Sequence, residues 1–238
     1  MKTTLVIIVM IAGIILLAGC ANMNNSAQTI EVAVIRDVTD SMIAIPKSDE
    51  IISQFNLDKE MWNGGKFRMV DLTDVSYNRI HEASIESENQ LLSNKFQRTD
   101  KVKKFYSQIS KIISDASQDE IGKDNSSVYF PIAKELNKLS QSSSSKKILL
   151  VYSDLMENTD EMSFYDQVKL DLIKANPDSA KRYFDSQMKL KSLNGIKIFL
   201  IYQPLNMKDD GVYKIVSNFY KALFESKGAN VEITAGIN

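Results

Sequence analysis

The chain has 238 residues, a formal net charge of −1, 44% hydrophobic and 25% charged residues, and one cysteine. Its lysines are scattered among acids rather than gathered into a stripe, so the electrostatic footprint of a nucleic-acid binder is missing. A lone cysteine excludes an internal disulfide framework, and residues 20–238 suffice to bury one α/β core without one.

Lys2 precedes an apolar run from Leu5 to Leu17, and Ala18-Gly19-Cys20 follow. The run falls short of the roughly 20 apolar residues that span a bilayer and reads as an export signal over residues 1–19. Leu17-Ala18-Gly19-Cys20 resembles the bacterial lipobox. That resemblance implies a lipid on Cys20, which becomes the first mature residue, and a place in the cell envelope. Ala21 stands where an aspartate is associated with inner-membrane retention, which points to an outer membrane where one exists. Residues 20–28 then comprise the lipidated Cys20 and a polar tether reaching roughly 16 Å.

Glu31 to Ile35 reads as a buried strand, ending at Asp37-Val38-Thr39-Asp40-Ser41, where carboxylates and hydroxyls alternate. Ser48 to Phe55 has a cap candidate, early acids and helical apolar spacing. Asn63-Gly64-Gly65 marks a turn, and Lys66 to Thr73 reads as a strand with a bulge or twist where Val70 and Leu72 shift the apolar face. Tyr77 to Ile85 is a partner strand carrying His81, the one histidine, taken as a strand residue and not a ligand. From Asn89 to Ser117, Leu91, Leu92, Phe96, Val102, Phe105, Tyr106, Ile109, Ile112 and Ile113 recur at helical spacing in one long or two short helices.

After a break at 122–127, Val128, Ile132, Leu136 and Leu139 begin another helix with Pro131 in its first turn. A polar connector, Gln141 to Ser145, leads to the apolar strand Lys147–Tyr152, which ends at Ser153-Asp154; a second such strand spans Gly195–Tyr202. Between them, about 163–193 form a charged helical excursion interrupted at Asn176-Pro177, with Phe164, Val168, Leu172, Tyr183, Phe184 and Met188 expected to pack on the sheet. A helix from Val212 to Lys227 and a strand from Asn230 to Thr234 close the chain. Continuous apolar strands alternating with helices predict an α/β fold, a doubly wound, mostly parallel sheet with one antiparallel edge strand.

Three loops carry oxygen donors to strand ends or a helix start: Asp37 to Ser41, Asn125 to Ser127, and Asp154. Hydroxyls and carboxylates with no histidine or cysteine among them suit Mg²⁺, Mn²⁺ or Ca²⁺ rather than zinc or copper. The plain alternative is that these carboxylates cap helices and bond backbone amides.

At these residues the chain resembles a von Willebrand factor type A domain with a metal-ion-dependent adhesion site. The family's Asp-x-Ser-x-Ser corresponds to Asp37-Val38-Thr39-Asp40-Ser41, its second-loop threonine to Ser126 or else Ser127, and its last acid to Asp154. The resemblance covers about 29–236 within a domain taken as 29–238. It implies a cation held by Asp37, Thr39, Ser41, Ser126 and Asp154, with Asp40 and Ser127 as outer or alternative ligands, and a protein partner offering a carboxylate. Asp40 where glycine is common and Leu155 where glycine often follows the acid are departures. No catalysis is implied. The alternatives are a fold that keeps its shape but has lost the ion, and a Mg²⁺-dependent haloacid-dehalogenase-like phosphatase, which needs a second aspartate where Thr39 stands.

Overall fold

A computed structural model describes residues 27–38, 45–72, 79–116, 127–204 and 206–237. Cys20, Thr39, Asp40, Ser41 and Ser126 lie outside them, as does the export segment. Six strands, β1 (Thr29–Asp37), β2 (Gly64–Leu72), β3 (Arg79–Ile85), β4 (Lys146–Tyr152), β5 (Ile196–Ile201) and β6 (Asn230–Thr234), form one sheet in the order β3-β2-β1-β4-β5-β6. All neighbours are parallel except β2 and β3, so β3 is the antiparallel edge expected from the sequence. The fold is α/β, a Rossmann-like, mostly parallel sheet flanked by helices.

The sheet grows outward from β1 in both directions. β2 and β3 are laid down on one side, and the chain then returns to place β4, β5 and β6 on the other. Parallel neighbours need crossovers, which are supplied by helices α1 (Ser48–Ser53), α2 (Lys95–Ala116), α3 (Tyr129–Gln141), α4 (Gln167–Ala175), α5 (Pro177–Gln187) and α6 (Met207–Glu225). Strand alternation sorts them by face. Gly65 faces Phe55 and Phe105, behind α1 and on α2. Arg68, three residues on, points to the other face and pairs with Glu135 of α3 at 3.1 Å and with Glu31 of β1 at 3.7 Å.

Several boundaries differ from expectation for physical reasons. β2 runs in unbroken register with β1 from Thr29↔Gly64 to Asp37↔Leu72 and has no bulge. Its apolar face seemed to shift because its carboxyl half is buried on both sides. The two glycines belong to the strand, paired with Thr29 and Ile30, and a Cβ at Gly65 would meet the Phe105 ring at 2.9 Å.

The first part of the expected 89–117 helix is instead a turn, and α2 is one helix starting at Lys95, where Asn94 Oδ1 accepts the N–H groups of Phe96 and Gln97. Leu91, Leu92 and Phe96 are 91%, 86% and 84% exposed rather than packed. α6 begins five residues earlier than Val212, because Asn206 caps it by accepting from Lys208 and Asp209. The last residue of the expected tether, Gln28, is already fixed: its N–H donates to Asn63 Oδ1 at 2.8 Å.

The 163–193 excursion consists of α4 and α5 and packs on helices more than on the sheet. Phe184 meets Tyr129 of α3 at a ring separation of 4.4 Å and Phe219 and Tyr220 of α6 at 5.8 Å. Phe164 joins the same cluster. Val168, expected inside, is 72% exposed, while Leu170 and Ile173 take the buried positions.

Candidate functional site

Asp37 is the last residue of β1, and Ser153-Asp154 follow directly after β4, its neighbour in the sheet. Chain growth reverses between these two strands, leaving a crevice at their carboxyl ends of the kind in which doubly wound sheets place ligands. The start of α3 lies over the same crevice and brings Ser127 to it.

Asp37 is buried at its strand end. The fully buried Ser153 hydroxyl donates to Asp37 Oδ2 at 2.9 Å and accepts the N–H of Leu155 at 2.9 Å. One donation and one acceptance leave that hydroxyl no free rotor. Ser153 is in turn held through its N–H, which donates to the Ile201 carbonyl at 3.3 Å.

Asp154, half-buried, accepts the N–H of Met156 at 2.9 Å through Oδ1, closing a turn. Inside that turn Leu155 has φ of 63°, the left-handed region that glycine enters without cost. The residue where the family resemblance leads one to look for glycine thus has a glycine-like backbone and a leucine side chain. Complete burial of that side chain offsets the strain.

Glu157 was not singled out in the sequence. It is buried, and its Oε2 accepts the first free N–H groups of α3, from Val128 at 3.0 Å and Tyr129 at 2.8 Å. Val128 at the N-cap position has no side chain that can do this. Glu157 therefore caps α3 from another segment, aided by the positive end of the helix dipole and by a bond with the Ser127 hydroxyl. Burial pushes its carboxyl up to about 7, and the charge of Asp37 pushes the same way; the two N–H groups and the hydroxyl oppose both. The only sequence signal was an acid three residues beyond Asp154.

Beside Glu157 a cavity of about 300 Å³ is bordered by Ser127, Tyr129, Glu157, Thr159, Asp160 and Tyr183. Tyr183, on α5, closes its flank with its hydroxyl 3.2 Å from Thr159 Oγ1.

Of the expected ligands, the described structure thus brings Asp37, Ser127 and Asp154 to one end of β1, β4 and α3. Among the described residues there is no group of three or more histidine, cysteine or acidic side chains disposed to hold a metal. His81 stays structural: it lies opposite Met69 on β3, with Nε2 3.7 Å from Asp71 Oδ2, beyond hydrogen-bond reach. Asp71 instead accepts from Arg36 Nε at 2.8 Å, and Arg36 Nη1 donates to the Ala116 carbonyl at 2.6 Å, tying the end of α2 to β1.

No known protein family's sequence profile matches the chain, and a search of curated proteins returned no relative.

Proposed function

We propose that the protein is a lipoprotein of the bacterial cell envelope whose domain, of the von Willebrand factor type A kind, binds a divalent cation and through it a carboxylate of a partner protein. One observation carries this reading. The two acids at the ends of the apolar strands, Asp37 and Asp154, close adjacent strands at the point where the sheet changes its direction of growth. Asp37, Ser127 and Asp154 offer oxygen there, and Thr39, Ser41 and Ser126 would complete the set around Mg²⁺ or Mn²⁺, with Ca²⁺ a further choice. The fit is also electrostatic: Glu157 and Asp37 bring two buried carboxylates close enough that one raises the proton affinity of the other. A cation would relieve that repulsion. When bound it would supply an open coordination position, and binding of this kind requires no turnover, so we read the protein as a non-enzyme.

A second reading has its own support. Ser153 already bonds Asp37, Asp154 closes a turn, and Glu157 caps α3, so each of these three acids has a structural task. The site would then be a protein-binding surface without an ion.

Thermal unfolding of the full chain in detergent separates the two. Millimolar Mg²⁺ or Mn²⁺, at about a hundred times its Kd, adds about 2.7 kcal/mol, a shift of several degrees for a domain of this size. Asp37→Ala is expected to remove the shift. An unmutated protein that melts at one temperature with ion or chelator leaves only the second reading.

A further inference from the structure

The pole opposite the crevice carries an apolar tip that neither the fold nor the proposed site uses. Leu91, Leu92 and Phe96 lie within six residues of one another and are 91%, 86% and 84% exposed. Large apolar side chains scattered singly on a surface are ordinary; three so close and so extended are not. The tip is also firmly built. Asn89 Oδ1 accepts the Leu91 N–H at 2.9 Å, the Asn89 carbonyl accepts the Leu92 N–H at 3.1 Å, and Asn94 Oδ1 accepts the Phe96 N–H at 2.9 Å.

Behind it the fully buried Arg98 donates to the carbonyls of Met61, at 2.6 Å, Glu86, at 2.8 Å, and Asn63, while the Glu88 N–H donates to the Trp62 carbonyl at 2.9 Å. The incoming chain is fastened to this same hub. Gln28 donates to Asn63 Oδ1, and its carbonyl accepts the Gly64 N–H at 2.7 Å. The segment that would bear the lipid therefore joins the domain at the pole that displays the apolar tip.

We propose that Leu91, Leu92 and Phe96 insert into the lipid surface to which the chain is anchored, so that the domain stands with its crevice outward. This rests on the anchor in the function proposed above and not on the cation. The polar tether expected ahead of the domain would reach roughly 16 Å and keep this pole beside its membrane, which favours lipid over a protein as the occupant. Charge at the tip is balanced: Glu88 is paired with Lys101 at 2.8 Å and with Arg98, and the exposed Glu86 and Lys95 are of opposite sign, so neutral lipid suffices.

The sole tryptophan, Trp62, sits at this pole and reports on it. Full-length protein is reconstituted into phosphatidylcholine vesicles with brominated acyl chains, its intact mass is measured, and its emission is compared with that in unbrominated vesicles. A more direct probe is Phe96→Trp in a Trp62→Phe background. Quenching of both probes is expected. Leu91→Ser, Leu92→Ser and Phe96→Ser together should abolish Trp62 quenching while leaving the far-ultraviolet dichroism unchanged, and should weaken vesicle partitioning of the unanchored protein on the order of a hundredfold. Lipidated protein in which neither probe is quenched overturns the insertion and leaves the anchor standing. Unlipidated protein that is still quenched supports the insertion and removes the anchor; unlipidated protein that stays in the aqueous phase overturns both.

Discussion

Glu157 contributes to the pH response of the domain. Its carboxyl titrates near 7 when folded against an ordinary 4.5, so the folded state holds the proton more tightly than the unfolded chain. The resulting stabilisation is fully present below about pH 4.5 and is lost as pH rises through about 7. With chelator present, the thermal midpoint is expected to be higher at pH 5 than at pH 8, by an amount of the order of 3 kcal/mol at most. Glu157→Gln, which cannot lose a proton, should flatten that slope. Parallel profiles for the two proteins would show that the buried charge is satisfied some other way. Asp37 and Asp154 stood out in the sequence because each ends an apolar strand. Glu157 did not, because its task is to cap a helix whose start lies 29 residues earlier in the chain.

At the scale of elements, α2 approaches β2 closely at Gly65. A Cβ at Gly65 would lie 2.9 Å from the Phe105 ring and 3.1 Å from Phe55, and these two rings already pack edge to face. Gly65→Ala is expected to destabilise the domain by about 1–3 kcal/mol in denaturant unfolding, with Phe105→Leu in the same chain recovering part of the loss. A neutral Gly65→Ala would mean that α2 can shift away freely. The sequence called this glycine a turn residue because nothing local distinguishes a turn glycine from one that admits an aromatic ring. The same blindness applies to the helices. Periodicity cannot tell a face that meets a neighbour from one that meets water, so Val168 was expected inside and Leu91, Leu92 and Phe96 were read into a helical pattern, whereas β4 and β5, apolar on both faces, could be read nearly to the residue.

Over the whole molecule, the sheet order puts entry and site at opposite ends of one strand. The general architecture was legible because uninterrupted apolar strands between helices permit few arrangements. The helical excursion was legible as an insertion but not in its packing, since its partners on α3 and α6 are distant in sequence. The placement of β1 has a mechanical side. It is bonded along its length to β2 and β4, both parallel to it. A pull between Gln28 and Asp154 therefore enters at one end of β1 and leaves at the other end of β4, loading their ladder in shear, so that its bonds must fail together. A pull between Ile85 and Asn230, across the sheet, opens edge strands bond by bond. In single-molecule stretching the first direction is expected to require the larger force, and equal forces would mean that β1 does not carry the load. A domain tethered at one end and gripped at the other would be hardest to tear along the line of its own tension.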